Sequence, residues 1–599
     1  MVVKECDRKL VEEAYGRLQI WRDNCKEIHD RAKESRKILL LQDPKQDILT
    51  KSRRKDKKTT QLQTLKSTFN NCVADQMDNM PEALMIPETK EMTEVAEDLT
   101  DIVRFVMAKN NYEAIHRRRV EDCFATGTSV TQIAWDDDMD NGHGNVAIFR
   151  WPIENFLWDA AADNLQESRA VFKVSWHPKS WFEQYYPDKV EDMGGDEGVY
   201  GTLGLPEAQE ETDHGADEER MLLIEYWYRL YDHKKKRHTI NVAYLAGSVL
   251  LESHKDVYKH GMYPFVLDVF TPIEGLPVGE GLIQEFVPMM RYVNRYADYI
   301  DMNLRMASKG RLLVNRAAGI DKDALLDWET DIIEGDRIDP SALQWMQTQP
   351  FTGAVTQQML QLQTDIKQDS GQNQFTRGET AGGVTAASAI SALQEAGGKI
   401  TRLRTSVFNH GYRAIVEQVM WLINQFYDNK RVMLVTGRNP TEERREVDAS
   451  PARLFGTAFK GKLPPPPYTV QVQVQRRNPL RQQAQNELFM QAYSMAAQAG
   501  ASFPLSVLFE LLHVDGKERI LPVLRETETF YQQMQQLAAQ NEQLMAENQQ
   551  LNQGIANLQE VVDELTGGGS GEEMMGANPP LNAEGGVPNP MMAAEGGMM

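Results

Sequence analysis

YPFVLDVFTPIEGLPVGEGLIQEFVPMMRYVNRYADYIDMNL, residues 263–304, changes its hydrophobic period midway, and that change decides the fold. In PFVLDVF at 264–270 the apolar side chains alternate, the period of a half-buried strand. Beyond Gly279 and Gly281, Phe286, Met290, Val293, Ala297, Ile300 and Leu304 recur at steps of four and three. Such a stripe wants a partner helix along its whole length. Pro288 fits the first turn, where its missing N–H costs nothing. A β-rich region that feeds a long packed helix through a glycine turn makes the chain α+β.

Working outward towards the N-terminus, VAIFRW at 146–151, AVFKVSW at 170–176, MLLIEYWYRLY at 221–231 and TINVAYLAGSVLL at 239–251 also alternate, as β meanders do. An insertion at 191–219, with eleven acids and six glycines, interrupts them and reads as a mobile surface loop. Before the strands, helical patterns cover 8–41, about 60–80, 91–109 and 112–126. DDDMDNGHGN at 136–145 lacks the spaced ligands and closing Glu of a calcium loop and is a hairpin turn. Two basic runs stand out: KSRRKDKK at 51–58, a solvated loop or a nucleic-acid contact, and KKKR at 234–237, flanked by His233 and His238 in an exposed turn.

Towards the C-terminus, short strands and turns at 310–350 separate the striped helix from a second helix at 354–369. GQNQFTRGETAGGVTAAS at 371–388 is a polar, glycine-rich loop leading into a helix that ends near Asp428 and is kinked at Gly397 and Gly398. YTVQVQVQ at 468–475 is a half-buried strand after the LPPPPY spacer, and helical segments follow over 479–525. Phe530, Met534, Leu537, Asn541, Leu544, Asn548, Leu551, Ile555, Leu558, Val562 and Leu565 then keep a strict heptad. That is the seam of a coiled coil or helical barrel, and its two Asn fix the register between identical helices. The last residues, 567–599, hold nine glycines and neither a base nor an aromatic, the composition of a disordered tail.

With 599 residues the chain needs several domains; 41% hydrophobic and 25% charged residues suit a soluble protein with a buried core. No apolar run is long enough for a membrane span, and the first residues, MVVKECDRKL, are not those of a signal peptide, so synthesis in a cytoplasm is expected. Cys6, Cys25, Cys72 and Cys123 form no CxxC pair and read as reduced, mostly buried thiols. A net charge of −22 argues against an ordinary tight DNA binder, because DNA affinity comes largely from neutralising phosphates. It suits either plain solubility or a conduit whose wall repels a moving polyanion. No GK[ST] phosphate loop, no HExxH and no convergent carboxylate or histidine set occurs, so neither an ATPase nor a metal hydrolase is expected, and no metal or cofactor. The glycines of GLPVGEGL at 275–282 have the wrong spacing for a nucleotide fingerprint and mark a tight turn before a helix.

Four passages resemble the portal proteins of podovirus-type tailed phages: RDNCKEIHDRAKESR at 22–36, FRWPIENFLWDAAADNLQESRAVFKVSW at 149–176, the opening stretch at 263–304, and FTRGETAGGVTAASAISALQEAGGKITRLR at 375–404. With the order of elements between them the resemblance covers about residues 8 to 525. It implies a dodecameric ring, a portal fold with a mixed α/β wing, helical stem, small β-containing clip, helical crown and C-terminal coiled-coil-like helical barrel. Carried onto this sequence, the wing is 1–278 with its acidic loop at 191–219, stem helix 1 is 279–308, the clip 309–350 and stem helix 2 351–370. The tunnel loop is 371–385, the kinked helix 386–428, the wing return and crown 429–525, the helical barrel 526–566 and the tail 567–599. The implied function is a structural channel for genome packaging and ejection at one capsid vertex of the virion, assembled in the host cytoplasm. Its implied partners are double-stranded DNA, a terminase, scaffolding and major capsid proteins and tail adaptor proteins, with no membrane. In the tunnel loop, Gln372, Asn373, Gln374, Thr376 and Arg377 are the expected DNA contacts. The competing readings are a phage DNA-processing enzyme, disfavoured by the missing catalytic motifs, and a coiled-coil interaction protein, disfavoured by the extensive β region.

Overall fold

The computed structural model describes residues 2–43, 61–193, 220–247, 249–308, 311–321, 323, 332, 334, 336, 343–346, 353–371, 398–427, 432–435, 445–456, 465–476, 479–498, 506, 508, 509, 512 and 517–565. In chain order the long elements are α1 (Val2–Leu39), α2 (Thr64–Met77), β1 (Asn79–Pro87), α3 (Thr93–Lys109), α4 (Tyr112–Thr126), β2 (Thr128–Asp136) and β3 (Asn145–Trp151). Then come β4 (Phe156–Trp158), β5 (Ala170–Pro178), β6 (Arg220–Asp232), β7 (Arg237–Ala246), β8 (Val249–His254) and β9 (Phe265–Val269). The two-residue strands β10 (Thr271–Pro272) and β11 (Gly279–Glu280) lead into α5 (Leu282–Ser308), which starts early enough that Pro288 lies inside the helix and not in its first turn as expected. The remainder comprises β12 (Arg311–Val314), β13 (Leu343–Met346), α6 (Gly353–Asp369), α7 (Lys399–Phe426), β14 (Val432–Val435), β15 (Arg445–Asp448), β16 (Tyr468–Arg476), α8 (Pro479–Gln498) and α9 (Lys517–Leu565). The fold is α+β. It divides into two compact units, 1–482 and 483–599.

In the first unit the alternating stretches become an antiparallel five-stranded sheet in the order β4-β5-β6-β7-β8, and β3-β2-β9 form a second sheet. The stretch 239–251, which alternation reads as one strand, is two, because Gly247 turns the chain at φ 56° between β7 and β8. Of the long strands, two were not legible as strands, nor were the short β4, β14 and β15. β2 is the central strand of its sheet, and β1, within and beyond the end of an expected helix, pairs over its whole length with β16, Asn79 opposite Arg476 and Pro87 opposite Tyr468.

One face of α1 (Val11, Ala14, Leu18, Trp21, Cys25, Ala32) is buried in the same core as Phe156, Trp158, Phe172 and Tyr226. Trp21 meets Phe172 edge to face at 5.4 Å. Burial of this kind contributes about 25 cal/mol per Å² of apolar surface, which is what makes a long charge-laced helix stay on the sheet. Cys25, Cys72 and Cys123 are buried thiols, and burial pushes Cys25 up to about 12. In the second unit α9 is one continuous helix of 49 residues.

Of the insertion read at 191–219 as a mobile loop, Glu191–Met193 form a short helical turn with Met193 buried beside Phe182 and Leu223; its residues 194–219, the run at 51–58, the loop residues 372–377, Gly397 and the tail 567–599 lie outside the described residues.

Candidate functional site

The striped helix enters through three glycines that let backbone touch backbone. Gly127 closes α4 in the left-handed conformation, φ 87°, with its N–H bonded to Cys123 O at 2.9 Å. A Cβ there would fall on the Gly279 and Glu280 carbonyls, and one on Gly281 would stand 2.8 Å from Gly127 N and Phe124 O. Gly279 N donates to Thr128 Oγ1 at 2.9 Å, and Phe270 N donates to Gly127 O at 2.9 Å. The spacing read as a tight turn is therefore a seat, with α4 and the start of α5 in direct backbone contact.

Above the seat, Phe286, Met290 and Val293 are buried in one cluster with Leu65, Phe69, Val120, Phe124, Phe408 and Ile366 of α6. Arg291 donates to Asp43 Oδ2 at 2.8 Å and to Glu34, and Asn294 Oδ1 accepts from Leu62 N at 3.0 Å. The periodicity predicts a partner along the whole length of the stripe. Its first half finds one within this chain, in α2, α4 and α6. Ala297 and Ile300 are half-buried, whereas Leu304 is 60% exposed, and Tyr292, Tyr299 and Met302 are exposed beside it. β12 and β13 pair antiparallel beyond the helix, Arg311 opposite Met346, and α6 then packs against α5.

Behind the seat lies a buried charge network. Arg119 donates to both oxygens of Asp268, Nε to Oδ2 at 3.0 Å and Nη2 to Oδ1 at 2.7 Å; both side chains are fully buried. Ser129 Oγ donates to Asp268 Oδ2 at 2.6 Å, and Arg119 also meets the Tyr112 hydroxyl. Burial lowers the guanidinium pKa, but the Asp268 charge outweighs it, so Arg119 is held above its ordinary value. His116 is pushed down to about 3 by burial and by Arg119, and it packs edge to face on Phe408 at 5.9 Å. α7 can cross this network because Gly411 faces it: a Cβ there would overlap Asp268 Oδ1 and stand 2.9 Å from Arg119 Nη2. A pair so desolvated is stable only while every lone pair and proton is engaged. Sequence reading missed Arg119, Asp268, Gly127 and Gly411; the one available signal was a carboxylate within the apolar strand PFVLDVF.

Of the expected DNA contacts, the structure describes only where their loop departs. Gly371, φ 81°, follows α6, and Ile400 of α7 lies 3.3 Å from where its Cβ would be. Gly398 is the N-cap of the described part of α7, and the residues before it, on which the expected kink depends, lie outside the described ones. Phe530, Leu537, Leu544, Leu551, Ile555, Leu558 and Val562 of the heptad seam are exposed on α9, Leu558 by 65%, as are Asn541 and Asn548 between them. Among the described residues no cluster of His, Cys, Asp or Glu could hold a metal, and no helix is long and apolar enough to cross a membrane.

A body with two antiparallel sheets, a long helix seated on it by glycines, a strand pair beyond that helix and a second helix packed back on the first make up an α+β subunit of the kind expected of a portal fold. The family model for phage P22-like portal proteins matches residues 8–566, and the chain belongs to that family. It is thus a structural phage capsid protein of genome packaging. No curated protein sequence matches the chain.

Proposed function

We propose that copies of this chain close into a ring at one capsid vertex, forming the channel through which the genome is packaged and ejected and the platform on which terminase and tail proteins dock. The observation that carries it is the unfilled apolar surface on two long helices, with Leu304 60% exposed on α5 and Leu558 65% exposed on α9. Identical neighbours related by rotation cover such faces without leaving an open end. In this reading 279–308 and 351–370 are the stem, 309–350 the clip, and 526–566 a barrel of parallel helices in which Asn541 and Asn548 set the register. The polar donors Gln372, Asn373, Gln374, Thr376 and Arg377 then give weak, sequence-independent phosphate contacts to a sliding duplex. Catalysis is left to a separate motor, consistent with the absence of a phosphate-binding loop from the sequence.

Light scattering with negative-stain imaging of the purified protein tests the reading. Rings with a central hole and a mass many times 68.1 kDa are expected without DNA. A 68.1 kDa monomer at micromolar concentration sinks it.

A further inference from the structure

In a chain with 87 acids and 65 bases, the tip of the β6–β7 hairpin and the segment after β8 reverse the balance: residues 232–259 carry six Lys or Arg against three Asp or Glu. The tip is built rather than loose. Asp232 Oδ1 accepts from Lys234 N at 2.8 Å and Lys235 N at 3.2 Å. Asp256 receives Arg237 Nη2 at 2.9 and 2.7 Å and Lys235 Nζ at 2.6 Å, and its own N–H is held by Asn241 Oδ1 at 2.9 Å. These bonds tie the hairpin to the segment following β8 and leave Lys234, Lys236, Lys255 and Lys259 exposed, with no side-chain ion pair among the described residues. Tyr231 stands exposed at the same tip between the rings of His233 (5.1 Å) and His238 (5.2 Å).

We infer that this tip is a sequence-independent contact for the sugar-phosphate backbone of duplex DNA, remote in sequence from the loop at 371–385. Two anionic partners compete for it: a phosphate backbone and an acidic protein surface. Carboxylates are best matched by the planar fork of arginine, and the one arginine here, Arg237, is already committed to Asp256 and, through Nη1, to Lys259 O at 2.5 Å. The four remaining cations are ammonium groups, point charges that suit a line of phosphates with no fixed register. Tyr231 adds a hydroxyl donor of the kind that contacts phosphate oxygens. A few lysines bind weakly at one copy, and repetition in an oligomer multiplies such contacts without new chemistry.

The test replaces Lys234, Lys236, Lys255 and Lys259 by Gln in the full chain and measures binding of a short mixed-sequence duplex and of poly-L-glutamate across a salt series. Particle mass is read separately, so a failure of ring assembly is not confused with a failure of binding. Duplex affinity is expected to fall about tenfold, with the slope of log affinity against log salt flattening by about 0.9 for each phosphate that is no longer neutralised. Unchanged duplex binding overturns the assignment. So does a variant whose affinity for poly-glutamate falls as much as or more than its affinity for duplex, because the tip is then a site for an acidic protein.

Discussion

Gly411 lies where α7 crosses the Arg119–Asp268 pair, and it shows how one missing Cβ fixes the course of a helix. Alanine is the better helix former by about 1 kcal/mol, so propensity alone favours a substitution there. Its Cβ would nonetheless overlap Asp268 Oδ1, and parting a fully buried pair costs about 3–5 kcal/mol. Gly411→Ala is therefore expected to lower the urea unfolding midpoint. Gly16, in an exposed position of α1 with nothing within 4 Å of its Cβ site, supplies the opposite case, and Gly16→Ala should raise the midpoint slightly. Equal shifts in the two variants would mean that helix propensity governs both sites and that the buried pair does not hold α7 in place.

At the scale of elements, the strands rich in alternating or continuous apolar residues were legible whatever their burial, and β2, with polar residues on its buried faces, and β1, broken by prolines, were not. β2, TSVTQIAWD, sits between β3 and β9 and turns polar side chains inward: Thr128 accepts from Gly279 N, Ser129 donates to Asp268, and Gln132 Oε1 accepts from Trp151 Nε1 at 2.8 Å. A hydropathy pattern carries no trace of partners that arrive from far along the chain. β1 failed for a related reason, since its pairing partner β16 lies at the other end of the first unit and its own sequence has Pro81 and Pro87 in place of a clean apolar alternation. The helical stripes were legible because 3.6-residue periodicity is local, yet their coverage was not: periodicity cannot tell a partner in the same chain, as for Phe286 and Val293, from one in a neighbour. This difference separates α5 from α9. The first half of α5 is anchored within its own chain, so deleting 526–599 should leave rings visible by negative stain while impairing genome delivery or internal capsid organisation. Loss of rings on truncation would make the α9 seam the primary assembly element.

Taken as a whole molecule, the chain sets a net charge of −22 on its surface against histidines kept neutral in its interior, and the two respond to acid in different pH ranges. Surface carboxylates stay ionised until the pH nears their ordinary range around 4, so self-repulsion barely changes between pH 7 and 5. The histidines act sooner. His116 is pushed down to about 3 by burial and by Arg119, and His260 to about 4 by burial. His29 is lowered by burial despite its contact with Phe156 O at 3.1 Å and the nearby Glu154 carboxylate. In the unfolded chain each takes up a proton near pH 6.5, and in the folded chain it does not. Their folded values being depressed, neutral imidazole favours the fold fully above about 6.5, and stability is lost as the pH falls from there towards the folded values. His116 and His260 each steepen the loss by about 1.4 kcal/mol per pH unit down to pH 5, and His29 acts in the same direction, so together they outweigh any relief of surface repulsion above pH 5. The urea midpoint of the first unit, followed by tryptophan fluorescence, is expected to drop clearly between pH 7 and 5, before the carboxylates titrate. A midpoint that stays flat to pH 5 and falls only below 4 would show that the three histidines protonate in the folded protein and that its acid response is set by carboxylates alone.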